Sequence, residues 1–420
     1  MPKIKNISAR EILDCQGRPT IEARVFLDSG LSAKASVPSG NSRGSYEAHE
    51  LRDGDSKRYS GQGVLLAVGK IIEAIAPQLI GQEITDQEGI DKTMINLDGT
   101  EDKRSLGANA ILAVSLACAR AGALSQGKEL FEYLEEKFQF TAGRKMPTPL
   151  FNIFNGGRHA DTNLDFQEFL LIPKSGSAAK MIQIGAEVFH ELGRVLKEAN
   201  YDTDTGLEGG YAPDLDSSIE AIELILAAAV RAGHNPGQDI FLGIDVGSSL
   251  LYEEASRKYV FPLDNVYFSA DNLIGLYNEW LRKYPLVYLE DALAEDDWNA
   301  WRDLTSELGE KMLLAGDDLF ATNITRLSRG LKERAANSII IKPNQIGTLT
   351  ETVECIKLAQ RQGYKTIISH RSGETVDDFI VDLAVASGAD YLKAGSLSRG
   401  ERLAKYNRLL EIATLIEPNN

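Results

Sequence analysis

The sequence predicts an α/β protein in two parts: an N-terminal α+β capping domain and a C-terminal domain in which strands and helices alternate. Three observations predict this division. An alternating apolar pattern followed by helical patterns occupies the first third, a stretch rich in chain breakers follows, and short apolar runs then recur at βα spacing. We assign residues 1–138 to the capping domain and residues 145–420 to the C-terminal domain.

The capping domain begins with strands and continues with helices. Alternate residues from 21 to 27 are apolar, which is the period of a strand with one buried face. A loop rich in glycine and serine spans 38–45, and residues 62–136 show helical patterns, including an alanine-rich stretch at 107–126. Residues 141–149 contain the breakers expected of a linker, and strand–helix alternation is expected from Leu150 onward.

Six short apolar runs in the C-terminal domain each end in a residue that can take part in chemistry. These residues lie 23 to 45 positions apart, and helical patterns occupy the intervals. They are Asp245, Glu290, Asp317, Lys342, His370 and Lys393. The pattern favours a parallel sheet covered by helices, either closed as a barrel or open and doubly wound. In a barrel, the carboxyl ends of the strands would bring these side chains to one mouth, where catalytic residues lie.

Composition excludes several classes of protein. The 420 residues include 45 Lys and Arg against 61 Asp and Glu, a formal charge of −16, so a nucleic-acid partner is not expected. An anionic substrate would need local cations or metals to hold it against this charge. Three widely spaced cysteines indicate a reducing compartment. Neither a signal peptide nor a membrane-spanning run is evident, so we expect a cytoplasmic protein without a membrane partner.

Three of the strand-end residues are carboxylates, which favour a particular kind of metal. Asp245, Glu290 and Asp317 offer hard oxygen ligands, which suit Mg²⁺ or Mn²⁺ better than Zn²⁺. Lys342 ends a run of three isoleucines, and beside a bound cation its pKa should be lowered, which would make it a candidate base for a carbon acid. Two metal ions beside a lysine would suit proton abstraction next to a carboxylate, because preplaced cations can stabilise the charge that develops.

Three further polar segments indicate how an anionic substrate would be held and how a leaving group would be expelled. His370, Arg371 and Ser372 present cationic and hydroxyl donors in a row, suited to a phosphate or carboxylate. Residues 155–160 and 208–213 are glycine-containing loops that carry His159 and Glu208, and Gln167 precedes Glu168. A second acid on the opposite face from the base would be needed to expel a leaving group.

The sequence resembles the enolase family over essentially its whole length. The motifs that carry the resemblance lie at residues 10–14, 47–54, 107–115, 155–157, 167–169, 208–213, 290–291, 316–319, 344–347, 369–375 and 401–407. The resemblance implies a C-terminal modified (β/α)₈ TIM-type barrel behind the capping domain. It also implies two Mg²⁺ ions per active site, a homodimer or an assembly of dimers, and dehydration of 2-phosphoglycerate to phosphoenolpyruvate.

The resemblance also implies a role for each matched residue. Four would hold metal: Asp245, Glu290 and Asp317 the first Mg²⁺, and Ser42 the second. Four would be catalytic: Lys342 as the base, Glu208 with Glu168 acting on the leaving hydroxyl, and His159 closing over the substrate. Five would hold substrate: Lys393 and His370 at its anionic ends, Arg371 and Ser372 at its phosphate, and Gln167 as a further contact.

Five positions near the inferred site depart from the usual enolase pattern. Arg43 and Arg158 stand where small or acidic residues are usual, and Leu207, Leu250 and Val376 replace carboxylates. All five changes shift the site toward positive charge, which favours a substrate bulkier or more anionic than 2-phosphoglycerate. Arg43 is expected to contact it, because a guanidinium binds phosphonate, phosphate or carboxylate through two hydrogen bonds.

Three functions are therefore compatible with the sequence. The first is an ordinary enolase acting on 2-phosphoglycerate. The second is an enolase homologue acting on a phosphonate or larger anionic substrate, resembling carboxyphosphonoenolpyruvate synthase, in phosphonate biosynthesis. The third is a binding or scaffold protein with weakened catalysis, and the intact Lys342, Glu208 and carboxylate triad argue against it.

Overall fold

An antiparallel three-stranded sheet opens the chain, in the computed structural model that describes residues 1–40 and 44–417. Its strands are β1 (Ile4–Leu13), β2 (Pro19–Leu27) and β3 (Ser32–Ser36). The helices that follow are α1 (Leu65–Lys70), α2 (Ala76–Leu79), α3 (Gln87–Asp98), α4 (Ala108–Ser125) and α5 (Leu130–Phe138), with a π-helical turn at Ile71–Ile75. The alternating apolar residues of β2 are buried, because that face of the sheet packs on α4.

Helix α4 is the centre of this unit and is buried on almost every side. Its small residues let neighbours approach closely: a Cβ placed at Gly122 would lie 2.5 Å from the hydroxyl of Tyr133 on α5. Among the described residues, α4 is the single helix long and apolar enough to cross a membrane. The expectation that no such run exists is therefore wrong for α4 by length and composition, although 83% of that stretch is buried within the protein.

The second part of the chain forms a closed eight-stranded barrel and a small antiparallel sheet. Its strands are β4 (Thr148–Asn155), β5 (Glu168–Pro173), β6 (Ile240–Asp245), β7 (Tyr252–Glu253), β8 (Lys258–Phe261), β9 (Val266–Phe268), β10 (Leu286–Glu290), β11 (Leu313–Gly316), β12 (Ser338–Ile341), β13 (Lys365–Ser369) and β14 (Tyr391–Lys393). Its helices are α6 (Ala178–Glu198), α7 (Ser218–Arg231), α8 (Ala270–Lys283), α9 (Trp298–Leu308), α10 (Ile324–Glu333), α11 (Pro343–Ile346), α12 (Leu349–Arg361), α13 (Phe379–Ser387) and α14 (Gly400–Ile416).

The barrel confirms the predicted fold class and shows how it is modified. Its strands follow the order β10, β11, β12, β13, β14, β4, β5, β6, and β5 runs antiparallel to both of its neighbours. Strands β4 and β5 are joined without a full helix, whereas α6 and α7 both lie between β5 and β6. The prediction that strands and helices alternate regularly from Leu150 is therefore wrong for β4 and β5. Strand β4 also begins at Thr148, inside the segment expected to be linker.

The later strands and helices of the barrel agree more closely with the prediction from the sequence. The longest predicted interval, from Asp245 to Glu290, contains the small β7–β9 sheet in addition to α8. Several helices begin at side-chain caps: Asp297 accepts from the Ala300 amide at the start of α9, and Thr348 accepts from the Glu351 amide at the start of α12. These caps fix where each helix starts and thus the length of the preceding loop at the mouth.

Candidate active site

One end of the barrel gathers the six strand-end residues. Asp245, Glu290 and Lys393 are the last residues of β6, β10 and β14, and the other three directly follow β11, β12 and β13. Glu168 also lies at this end of the barrel. It is the first residue of β5, and because β5 runs antiparallel it pairs in register with Asp245 at the same end.

A cavity that is partly open to solvent lies at this end. Eleven of the residues predicted for the site line it: His159, Gln167, Glu168, Glu208, Asp245, Asp317, Lys342, His370, Arg371, Ser372 and Lys393. Glu290 lies just beneath, fully buried. Ser42 and Arg43, predicted to bind metal and substrate, lie outside the described residues. Arg158 and Leu250 also line the cavity, at its exposed mouth.

Lys393 is surrounded by carboxylates at the floor of the cavity. Its Nζ lies 2.9 Å from Asp245 Oδ2, 2.8 Å from Glu290 Oε2 and 3.2 Å from Glu168 Oε1. Burial alone would disfavour the ammonium, but these carboxylates outweigh burial and raise the pKa of Lys393 well above its usual value. Lys393 is therefore a permanent cation within this group.

Lys342 is paired with Asp317. Burial disfavours its charged form, but the adjacent Asp317 carboxylate outweighs burial and raises the pKa of Lys342. The expected lowering of this pKa applies beside a bound cation and stays a prediction, because the nearest charged group described here is the Asp317 carboxylate. The second oxygen of Asp317 accepts from Gln345 Nε2 at 2.9 Å, so the carboxylate is held from two sides.

Two histidines flank a pair of buried glutamates on the other side of the cavity. His159 Nδ1 lies 3.3 Å from Glu168 Oε1 and 3.5 Å from Glu208 Oε1, and His370 Nε2 lies 3.3 Å from Glu208 Oε2. Burial, followed by the charge of Glu208, raises the pKa of Glu168 to about 7. Burial would raise that of Glu208 too, but the positive charge of His159 and a hydrogen bond from His370 outweigh burial and lower the pKa of Glu208 well below its usual value. The surroundings thus separate the two pKa values, and Glu168 holds a proton more readily than Glu208 does.

The cationic wall of the cavity is Arg371, which follows His370. Its guanidinium donates from Nη1 and Nη2 to the two oxygens of Glu47, a capping-domain residue, and from Nη1 to Asn344 Oδ1 at 3.1 Å. The backbone amides of Asp317 and Asp318 donate to the two oxygens of Asp291 at 2.9 Å.

Buried oxygens without donors test whether a metal ion would fit. Glu290 Oε1 and Glu168 Oε2 are buried, and no described residue donates to either. Two groups of side chains bring ligand atoms within 4.8 Å of one another: His159, Glu168 and Glu208, and Asp291, Asp317 and Asp318. Asp245 and Glu290 belong to neither group, because Lys393 lies between them. The donors are hard oxygens in excess, which fits Mg²⁺.

Some residues at the site were not singled out from the sequence. Tyr288 donates to Glu290 Oε2 at 2.6 Å, and the two-residue period of a strand would have placed both on one face of β10. Glu47 and Arg402 lie far along the chain from the residues they contact, and nothing local in the sequence indicates those contacts.

Family comparisons cover nearly the whole chain. A model of the enolase N-terminal domain matches residues 4–134. A model of the enolase C-terminal TIM barrel domain matches residues 143–418.

Proposed function

The chain belongs to the enolase family, and from that premise we propose that it is a Mg²⁺-dependent carbon–oxygen lyase that dehydrates 2-phosphoglycerate to phosphoenolpyruvate. The observation that carries the proposal is the position of two residues on the barrel ring. Lys342 follows β12 and Glu168 begins β5, and these strands are four apart in a ring of eight. A base and an acid at these positions would approach a bound substrate from opposite sides.

Removal of the C2 proton is assigned to Lys342. To accept the proton its amine must be neutral, and its present partner Asp317 opposes that. Asp245, Glu290 and Asp317 would hold Mg²⁺, which would supply positive charge for the substrate carboxylate and would offset the Asp317 charge that raises the pKa of Lys342. Lys393, already cationic, would hold the same carboxylate.

Loss of the C3 hydroxyl is assigned to the two glutamates. Glu168 can hold a proton at neutral pH, because its pKa is raised to about 7. Glu208 stays charged and would orient the leaving group together with His159. Arg371 and Ser372 would hold the phosphate, and Arg371 is kept in place by Glu47 and Asn344.

The direct test is turnover of 2-phosphoglycerate by the purified full chain with Mg²⁺, followed by the absorbance of the enol product. Lys342→Ala should reduce turnover by roughly 10²- to 10⁴-fold, as expected for loss of a general base. Lys365→Ala, at the opposite end of the barrel on β13, is the matched control and should leave turnover unchanged. Folded, Mg²⁺-loaded protein that gives no product would contradict the proposal.

A second experiment separates the two proposed roles. In D₂O the base exchanges the C2 hydrogen of the substrate whether or not the hydroxyl then leaves. Glu168→Gln should therefore keep exchange at C2 while elimination falls, and Lys342→Ala should lose both. The reverse pattern would exchange the assigned roles of the two residues.

A phosphonate or a larger anionic substrate, as in a carboxyphosphonoenolpyruvate synthase-like homologue, is the second candidate. The favouring observation is the mouth of the cavity, where exposed Arg158 and Leu250 lie. No described residue forms an ion pair with Arg158, so its guanidinium is open to an anion. Arg158→Ala should then raise the inhibition constant of a phosphonate analogue while leaving the KM for 2-phosphoglycerate unchanged. Equal effects on both ligands would remove this candidate.

A further inference from the structure

Arg402 is a buried arginine in the first turn of α14 whose side chain ends beneath the active-site loops. It is fully buried, with 0% of its surface exposed. Its Nη1 lies 2.5 Å from His370 Nδ1 and donates to the Arg371 carbonyl at 2.7 Å. Its Nη2 donates to the carbonyls of Ser372, at 2.7 Å, and Leu207, at 3.3 Å.

This contact decides which nitrogen of His370 carries the proton. A guanidinium has donors only and remains protonated in proteins, so the nitrogen facing it must be an acceptor. Nδ1 of His370 is therefore unprotonated, and the single proton of a neutral ring lies on Nε2. Nε2 lies 3.3 Å from Glu208 Oε2, which also accepts from Asn152 Nδ2 at 3.0 Å.

We propose that Arg402 is a positioning residue that fixes His370 as the neutral Nε2–H tautomer, so that this ring donates to the carboxylate of Glu208. The same guanidinium binds carbonyls next to both partners, at Arg371 and Ser372 after β13 and at Leu207 before Glu208. One buried cation thus sets the proton on His370 and holds together the two loops between which that hydrogen bond runs.

The other charges around His370 act with this arrangement. Glu208 and Glu374 favour a charged ring, and Arg402 opposes it. Glu374 is compensated by Lys405, which contacts its Oε2 at 2.8 Å. Burial is the largest effect and, with Arg402, lowers the pKa of His370 to about 4. The backbone amide of His370 donates to the Lys393 carbonyl at 2.9 Å. This hydrogen bond holds the backbone of His370 at the mouth of the barrel.

The tautomer can be observed without any turnover. The probe is nitrogen-15 NMR of the full chain labelled at the imidazole nitrogens; with five histidines, the His370 signals are assigned by their loss in His370→Gln. The parent chain should show an unprotonated Nδ1 and a protonated Nε2 that do not titrate between about pH 5 and 8. An imidazolium, or a proton on Nδ1, would overturn the proposal. This measurement uses the parent chain, so it tests the proposal even if variants of Arg402 do not fold.

Arg402→Met supplies the second measurement. Without the guanidinium nothing excludes a proton from Nδ1, so the nitrogen-15 signals should show a fraction of His370 with Nδ1 protonated. Arg408→Met is the matched control: it removes a guanidinium from the same helix, paired with Asp382 at 2.7 Å rather than with the site. It should leave the His370 signals unchanged. If the nitrogen-15 signals of His370 were the same in Arg402→Met as in the parent chain, the proposal would be overturned.

The catalytic consequence rests on the proposed function. If 2-phosphoglycerate is the substrate, Arg402→Gly should lower kcat by roughly tenfold or more with little change in KM, and added guanidinium ion should restore part of kcat. Arg408→Gly should show no such rescue. Absence of turnover in the parent chain would contradict the proposed function alone, whereas turnover without rescue and with an unchanged pH profile would contradict the role of Arg402.

Discussion

Glu47 and Arg371 form an ion pair with two contacts between the capping domain and the barrel: Nη1 lies 2.8 Å from Oε2 and Nη2 lies 3.0 Å from Oε1. Their side chains are only 5% and 4% exposed. The guanidinium proposed to hold the substrate phosphate is therefore already compensated by a carboxylate from another domain. Anion binding at Arg371 must share this guanidinium with Glu47, which ties ligand affinity to the contact between the domains.

Glu47→Ala is expected to lower the free energy of unfolding by about 3–5 kcal/mol, because it leaves a buried guanidinium without its carboxylate. The change is measured by urea denaturation. Glu279→Ala is the control, since the Glu279–Lys283 pair is 57% exposed on both sides. It should leave stability almost unchanged, because solvent screens an exposed pair. If Glu47→Ala were no more damaging than this control, the pair would not be buried in solution.

Mg²⁺ is expected to raise the melting temperature more at high pH than at low pH. Burial and the charge of Asp245 raise the pKa of Glu290 well above its usual value, and burial beside Asp317 raises that of Asp318 to about 8. A cation has to displace the protons that these carboxyls hold, so its affinity should grow as the pH rises through about 8.

The measurement is thermal unfolding from about pH 6 to pH 9 with MgCl₂ or with EDTA at matched ionic strength. At a hundredfold excess over Kd the stabilisation should reach about 2.7 kcal/mol. Without the cation, stability should fall over the same range, because carboxyls with raised pKa values favour the folded state only while protonated. A shift that is independent of pH would contradict metal binding by these groups.

Glu168→Gln should gain stability relative to the parent chain as the pH rises from about 4.5 to about 7. Burial and Glu208 raise the pKa of Glu168 from 4.5 to about 7. Such a carboxyl contributes its full stability below the unfolded value, and this contribution is lost as the pH rises through the folded value. Glutamine has no proton to lose.

Urea denaturation in EDTA at several pH values checks this. Glu310→Gln, in an exposed turn between α9 and β11, is the control and should differ from the parent chain by a constant amount. A constant difference for Glu168→Gln as well would show that Glu168 titrates normally in the folded protein.

The three free cysteines are expected to react slowly with Ellman's reagent in the native protein. Burial raises the pKa of Cys15 to about 11 and that of Cys355 to about 12, and Cys118 is fully buried. At about pH 8 so little thiolate is present at Cys15 that its rate should be on the order of a hundredfold below that of a free thiol. In denaturant all three should react at the ordinary rate, and rapid native labelling would show that Cys15 is more exposed than described.

The sequence predicted the strand ends well because each has a local signature. A run such as Ile339–Ile341 before Lys342 is apolar on both faces, and regular spacing makes the next run recognisable. Glu168 does not fit that rule, since it stands at the start of β5. The residues alone indicated a polar segment at Gln167 and Glu168, and the enolase resemblance gave Glu168 its catalytic role. The direction of a strand in a barrel is set by its neighbours and not by its own residues.

Contacts between distant parts of the chain could not be predicted. The pKa of Lys342 depends on where the Asp317 carboxylate points, and the tautomer of His370 depends on an arginine 32 residues further on. Period and spacing describe neighbours within one element, whereas these properties arise from side chains that meet only after the barrel closes.

The reversed direction of β5 determines which segment of the active site could be replaced as one piece. Because β4 leads directly into β5, the connection at 156–167 leaves and re-enters the barrel at its catalytic end. It carries Arg158, His159 and Gln167, and Glu168 follows at once. Both ends of this segment are anchored in neighbouring strands, and its one helical part is the 3₁₀ turn at Gly157–His159. Replacing it with the equivalent piece of a relative would therefore exchange Arg158, His159 and Gln167 together and leave every α-helix in place.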